Sequence, residues 1–425
     1  MARVRLLLPL LLLLAARVPA APPADWTVGG DVRVRGYHLE NMWDVDSAAD
    51  ADRWSVWRHR TRLWAAAELD RGAQAYVRLA NQHFGEGVTD AGAWEEDNKS
   101  DKVFVDNAWV RLPDLLGLPL ELTAGRMDVR YGSGFVLFDG QSQTASTSAY
   151  LDGVKARLAP AAGVTLDLLH FKDQENRRDD ASHDDVTLSG AYLTLGDGQP
   201  REAYLLRRVN QALAREVWTG GARVGGAAGR LTWRAEAALQ RGDADALRTL
   251  EAWGATADLR LGVDAAGTAL LAGFTGLSGD DPATAGVDER WDVVHGGWPR
   301  LGDLPAWLYL NVGPHNAVSG FDPGYADGSS RPGEVVYGNL IMPWAGLELR
   351  PRADVTARAW WSSLRAHRSA AASDRIGELL QLSVKHRWSA DVTLALYAAR
   401  LWPGDAYGPD ADPATEVFWE IDLTF

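Results

Sequence analysis

The chain has 425 residues, 46% of them hydrophobic, with 43 Lys and Arg against 57 Asp and Glu and a formal net charge of −14. Outside residues 6–16 no apolar run approaches the roughly 20 residues of a spanning helix, which excludes a helical membrane protein. The apolar content excludes a disordered chain, and the acidic balance argues against a nucleic-acid binder with a broad basic face.

Residues 1–20 read as a secretory signal peptide. Arg3 and Arg5 form a basic start, Leu6 to Ala16 an apolar core, and Val18-Pro19-Ala20 a small-residue cleavage site. The expected mature chain, 21–425, carries −17. The absence of cysteine fits an exported protein without disulfides.

From there the chain keeps a period of two. In Arg230–Gln240 the face Leu231, Trp233, Ala235, Ala237, Leu239 alternates with Arg230, Thr232, Arg234, Glu236, Ala238, Gln240. Trp253, Ala255, Ala257, Leu259, Leu261 and Val263 alternate with Thr256, Asp258 and Arg260, and Val392, Leu394, Leu396 and Ala398 make another apolar face. The breaks between strands are of two kinds. Short turns are expected at 70–72, 113–119, 159–163, 196–200, 225–229, 264–267, 351–353 and 389–391. Longer polar loops are expected at 41–52, 83–102, 129–152, 173–186, 210–216, 241–249, 277–336, 365–375 and 402–414. Eight turns alternating with nine loops predict eighteen strands with both chain ends on the short-turn side; sixteen also suits the length.

This asymmetry predicts one all-β domain over 21–425: a transmembrane antiparallel β-barrel in the bacterial outer membrane, with short periplasmic turns and long extracellular loops. Lipid cannot hydrogen-bond a backbone, so a spanning sheet has to close on itself. The final run supports this. Val417, Trp419, Ile421, Leu423 and Phe425 alternate with polar residues and end the chain on an aromatic ring, the kind of strand that the barrel assembly machinery reads. The 19 tryptophans have a place in interfacial girdles, where Trp54, Trp57, Trp64, Trp109, Trp218, Trp402 and Trp419 lie near strand ends, although Trp64 and Trp360 read as inward.

Charge divides between loops and walls. Loops 41–52, 83–102, 173–186, 277–336 and 402–414 hold 28 acids and 7 bases, so the remainder of the mature chain is +4. The acidic loops read first as a solvated outer surface. Divalent cations bridging Asp179, Asp180, Asp184 and Asp185 to lipopolysaccharide is the sharper alternative, without calcium-loop spacing. The walls carry arginines. Arg58, Arg60 and Arg62 sit two apart, and Arg78, Arg111, Arg230, Arg234, Arg260, Arg358 and Lys385 fall on polar strand faces; Arg126 and Arg130 lie where a strand enters loop 129–152. A lipid-facing arginine costs about 2–4 kcal/mol at mid-membrane, so the ladder should face a water-filled lumen and attract anions. The structural alternative pairs these arginines with Glu68, Asp128, Glu236 or Asp258.

Catalytic signatures are missing: there is no HExxH, GxSxG, P-loop or GxGxxG before a helix, and the histidines lack metal-ligand spacing. No enzyme activity, cofactor or metal is expected.

Four stretches resemble the alginate export family of outer-membrane barrels. They are Gly125-Arg126-Met127-Asp128-Val129-Arg130-Tyr131-Gly132-Ser133-Gly134, then Tyr150-Leu151-Asp152-Gly153-Val154, then Ser278-Gly279-Asp280-Asp281 with Tyr337-Gly338-Asn339-Leu340 and Gly346-Leu347-Glu348, and the run from Glu378 through Pro403-Gly404-Asp405 to Phe425. Met127-Asp128-Val129 stands where the family more often has Gln-Glu-Leu. The resemblance implies an eighteen-stranded monomer that exports an anionic polysaccharide and works with a periplasmic export complex. The substrate path is expected along Arg58, Arg60, Arg62, Arg78, Arg111, Arg126, Arg130, Arg234, Arg260 and Arg358. Loop 277–336 is expected over the outer mouth or folded in as a constriction, with Pro299, Pro305, Pro314, Pro323 and Pro332 opposing a long helix. The alternatives are a small-solute porin and, less favoured, a secreted all-β carbohydrate-binding protein.

Overall fold

The computed structural model describes residues 25–41, 45, 53–84, 103–138, 150–174, 186–295 (without 197, 212 and 282), 302, 304–305 and 338–425 (without 370–372 and 408). The expected signal peptide at 1–20, Asp179, Asp180, Asp184 and Asp185, and most of loop 277–336 beyond His295 lie outside the described residues.

The strands follow in chain order: β1 (Asp25–Glu40), β2 (Trp54–Glu68), β3 (Gln74–Phe84), β4 (Phe104–Leu112), β5 (Leu120–Met127), β6 (Leu151–Ala161), β7 (Val164–Gln174), β8 (Val186–Leu195), β9 (Arg201–Asn210) and β10 (Arg215–Ala228). They continue as β11 (Leu231–Asp243), β12 (Thr249–Gly262), β13 (Ala269–Leu277), β14 (Val287–Asp288), β15 (Leu340–Arg352), β16 (Val355–Arg365), β17 (Arg375–Arg387), β18 (Val392–Pro403) and β19 (Ala414–Thr424). Each long strand pairs antiparallel with its neighbours in sequence, and β13 passes directly to β15. The two-residue β14 runs parallel to the end of β12 and lies outside this circuit. β1 pairs with β19 from Asp31–Thr424 to Glu40–Thr415, so eighteen of the described strands close a barrel. At the seam, Gly30 and Phe425 exchange both backbone hydrogen bonds, at 2.9 and 3.0 Å. The terminal aromatic residue thus seals the last edge.

All eight expected short turns join strands at one rim, and both described chain ends lie at that rim. Exposure follows the alternation. Leu259, Leu261, Leu396, Val417, Ile421 and Leu423 are open on the outer face, while Thr256, Tyr397, Glu416 and Phe418 are buried inside. Outward tryptophans mark two levels: Trp26, Trp233 and Trp388 near the short-turn rim, and Trp57, Trp218, Trp361 and Trp402 near the long-loop rim, with Trp361 and Trp402 stacked at 5.4 Å. The register places Trp64 on the lumen face, as its inward reading expects, and places there also Trp109, which was expected near an interface.

The interior is not empty. Residues 129–138 leave β5 and fold into the barrel, burying Val129, Phe135, Val136, Leu137 and Phe138. They meet residues 291–295 through a parallel bridge at Leu137 and His295, with Phe138 N donating to His295 O at 2.8 Å and His295 N to Val136 O at 3.0 Å. Phe135 stacks on Trp291 at 5.4 Å above Gly254. Gln240 binds the backbone of Asp292 on both sides, each at 2.8 Å, as a strand partner would. The half of the lumen near the long loops is therefore packed. The half near the short turns carries open charged side chains, among them Arg234, Arg350, Arg358 and Lys385.

Candidate functional site

Residues directly opposite across an antiparallel ladder share a face, so register decides which charges meet. Asp31 faces Arg62, Arg33 faces Arg60, and Arg35 faces Arg58; on the other side Arg33 faces Asp422 and Arg35 faces Glu420. Five arginines and three carboxylates thus gather on the lumen wall at the closing seam. Arg60 Nε donates to Asp31 Oδ1 at 2.9 Å, and Arg62 Nε to Asp31 Oδ2 at 2.7 Å. Arg35 Nε reaches Glu420 at 2.5 Å, and Arg60 lies 3.6 Å from Asp422. Arg58 donates to Gln82 at 3.3 Å. The triplet Arg58, Arg60 and Arg62 is inward as expected. Sequence reasoning missed its partners Asp31, Arg33 and Arg35, although their own two-residue spacing carried the same signal.

The other expected residues lie in several different settings. Arg78 is buried and held by Asp106 and Asp128, both at 2.6 Å; a bulge between Arg78 and Leu79 brings Asp106 and Asn107 together beside it. Arg111 faces the lumen 3.7 Å from Glu121. Arg234 faces Asp258 across the ladder and stays open to the lumen. Arg260 and Arg358 converge on one carboxylate, Glu348, at 3.0 and 2.7 Å, and Arg350, not among the expected residues, joins them at 3.3 Å. Glu348 is buried, while the three guanidinium groups remain between one third and one half exposed.

Arg126 and Arg130 lie elsewhere. Arg126 falls on the alternating face of Ala124 and of Val154 across the ladder, opposite to that of Thr123 and Met127, so it points out of the barrel near the long-loop rim. There it grips Asp152 through two 2.7 Å hydrogen bonds and sits 3.9 Å from the Tyr150 ring. An arginine is tolerated outside at this level because its charged end reaches the interface. Arg130 lies in the inward segment, 5.3 Å over the Phe138 ring.

Further inward cations lie on the opposite wall. Arg157 grips Asp167 through both Nε and a terminal nitrogen, at 2.7 and 2.8 Å. Arg223 binds Glu202 at 2.9 Å and lies 3.8 Å from Glu236, and Arg215 binds Asp292 at 2.6 Å. The inward segment plugs into this group. Tyr131 donates to Asp167 at 2.5 Å and stacks on Tyr192 at 4.1 Å, and Ser133 donates to Glu236 at 3.2 Å. Gly132 (φ +57) passes so close that a Cβ would lie 2.9 Å from Arg223 and 3.1 Å from Glu202. Its left-handed backbone suits glycine. Of the acids expected as partners, Asp128 and Glu236 are used, Asp258 faces Arg234, and Glu68 binds Gln74 at the short-turn rim. Among the described residues no group of three or more His, Asp or Glu is arranged to hold a metal ion.

The lumen wall offers fixed cations and the carboxylates that hold them in place. Solved structures share its architecture. A BenF-like porin from Pseudomonas fluorescens Pf-5 superposes with a TM-score of 0.59 at 12% identity over 94% of this chain and 98% of that one. Pseudomonas aeruginosa OccK9 (OpdG) gives 0.58 at 14%, and OccK2 (OpdF) in complex with glucuronate gives 0.56 at 11%, each over 94% of this chain and 98% of the other. No curated protein matches the sequence. The alginate export family profile matches residues 25–419. With nearly the whole chain matched and a closed porin-type barrel, the protein belongs to the alginate export family of outer-membrane channels.

Proposed function

We propose that the barrel passes an anionic, sugar-acid polymer of the alginate type outward across the bacterial outer membrane, along an arginine-lined lumen. The observation that carries this reading is the cluster at Glu348. One buried carboxylate is shared by Arg260, Arg350 and Arg358, so the wall near the short-turn rim keeps guanidinium donors beyond what the protein itself neutralises. With that rim facing the periplasm, the surplus stands at the entrance. Cationic walls around a narrow water path raise the local anion concentration, and several weak contacts let a polymer move from one to the next. Arg58, Arg60 and Arg62 with Arg33 and Arg35 continue the positive face along the seam. Export would draw on a periplasmic complex that delivers the polymer. A monomeric barrel, seated in lipopolysaccharide after insertion by the assembly machinery, completes the proposal.

One observation favours a second reading, a porin for small anionic solutes. The inward segments 129–138 and 291–295 occupy lumen that a polymer would need.

Reversal potentials in planar bilayers test the anionic path. The wild type should be anion-selective, with selectivity falling toward unity in Arg58→Ala/Arg60→Ala/Arg62→Ala and in Arg260→Ala/Arg358→Ala. A cation-selective wild type, or variants that leave selectivity unchanged, would remove the arginine path. Current block by hexuronic-acid oligomers and not by the monomers favours the polymer; equal block favours the small solute.

A further inference from the structure

Three lumen-facing aromatic rings lie side by side on adjacent strands. Trp64 of β2 stacks with Tyr76 of β3 at 6.1 Å between centroids and 24° between planes. Tyr76 stacks with Trp109 of β4, directly opposite in register, at 5.1 Å and 16°. The row starts where β1 has no side chain: a Cβ on Gly29 would lie 2.5 Å from the Trp64 ring. Glycine lets the indole lean against the wall there, and the next two rings follow it.

Two other aromatic rows in the barrel are covered. Tyr131, Tyr192 and Tyr204 pack around the inward segment, and Tyr37, Phe418 and Tyr397 lie beneath other inward residues; Tyr192, Tyr204, Tyr37, Phe418 and Tyr397 are at most 5% exposed. Trp64, Tyr76 and Trp109 each keep part of their surface open, Trp109 at the edge of the buried core cluster. Large apolar rings left facing a water path form a surface that awaits a partner.

The charge around the row identifies that partner. Arg62 and Arg78 adjoin it but are held by Asp31, Asp106 and Asp128. Arg111, two residues beyond Trp109, is held loosely, 3.7 Å from Glu121, and its buried Nε has no hydrogen-bond partner among the described residues. Lys155 lies in the same cross-strand row, one strand beyond Thr123. An apolar shelf bordered by an under-used guanidinium and an ammonium fits a molecule with a flat C–H face and a carboxylate at its edge. A hexuronic-acid pyranose has that shape. A linear polycarboxylate offers only the charge.

We propose that Trp64, Tyr76 and Trp109 dock the pyranose ring of a sugar acid while Arg111 and Lys155 take its carboxylate, making this row the determinant that separates sugar acids from other anions. The proposal deepens the channel reading and rests on it for the anionic cargo. Single-channel current through the refolded full-length barrel tests it with three blockers: a hexuronic-acid trisaccharide, a neutral glucose trisaccharide, and citrate as a ringless tricarboxylate. The wild type should be blocked best by the uronic trisaccharide and weakly by the neutral one. Trp64→Ala/Trp109→Ala should weaken both sugar blocks by about tenfold and leave the citrate block and the reversal potential unchanged. Trp64→Phe/Trp109→Phe, which preserves the packing, should retain most of the block and serves if the alanine variant fails to fold. Arg111→Gln should weaken the uronic block and spare the neutral one. The proposal is overturned if citrate blocks the wild type as well as the trisaccharide does, or if the alanine variant keeps its sugar block or loses the citrate block equally. Such a failure alongside intact anion selectivity leaves the channel reading standing; loss of anion selectivity in the wild type removes the channel reading instead.

Discussion

Asp31 shows how single residues hold the lumen. It is buried between two guanidinium groups, accepting from Arg60 at 2.9 and 2.6 Å and from Arg62 at 2.7 Å. A buried charge whose partner is removed costs more than the pair itself contributes. Asp31→Asn should therefore lower stability by about 1–3 kcal/mol, read from urea unfolding of the barrel in detergent, while raising anion selectivity. A stability loss without the selectivity gain would make this pair purely structural. His367 offers a titratable case outside the spanning segments. Its Nδ1 accepts from Gly279 N at 3.2 Å, and it meets Trp253 edge-on at 5.3 Å. Burial, and then the charge of Arg368, hold its pKa below the ordinary 6.5. The neutral ring is the form that accepts the bond. Its contribution is whole above pH 6.5 and is lost as pH falls from there through the lower folded value. An NMR titration should give an apparent pKa below 6.5; a value above 6.5 contradicts this.

Among elements, the strands explain why one wall serves two solvents. A period of two places Leu259 against lipid and Asp258 in the lumen, one residue apart. Leu259→Arg should cost about 2–4 kcal/mol and impair membrane assembly. Asp258→Arg should assemble and add to anion selectivity. The pair of variants, compared by heat-modifiable mobility and reversal potential, tests the facing of β12 directly; equal tolerance would mean that its register is shifted by one. At the long-loop rim, outward charges also occur, but in pairs between neighbouring strands. Arg126 with Asp152 and Arg207 with Glu216 are bidentate, and Tyr150 and Trp218 lie beside them. Such pairs belong to the interface, where guanidinium groups find water and headgroups while their stems cover apolar surface.

The whole molecule is a closed wall with its own chain packed into one half. The segments at 129–138 and 291–295 are held to each other by backbone bonds, and to the wall by Tyr131, Ser133 and Gln240. Phe135 and Trp291 form the apolar contact between them. Phe135→Ala/Trp291→Ala should loosen both segments and raise single-channel conductance without altering barrel assembly. Unchanged conductance would show that these segments lie beside the path and not across it.

The barrel itself was legible from residues alone. Lipid on one face and water on the other force every spanning strand into the same alternation, and the backbone must pair with neighbours until the sheet closes; turns of two lengths then disclose the rims. Strand number, turn positions, the inward triplet Arg58, Arg60 and Arg62 and the final alternating strand follow from these local patterns; the backbone exchange of Phe425 with Gly30 exists only in the closed sheet. Arg126 was misplaced because a rim residue can sit on the apolar face once its charge reaches the interface, so alternation and polarity disagree there. Long-range geometry decided the remainder. Asp31 meets Arg60 and Arg62, Glu348 gathers three arginines, and Tyr131 reaches Asp167, each through register across strands or a loop turned inward. Partners so distant along the chain leave no periodic mark in it; they exist only once the sheet has closed and the loops have chosen the lumen over the solvent.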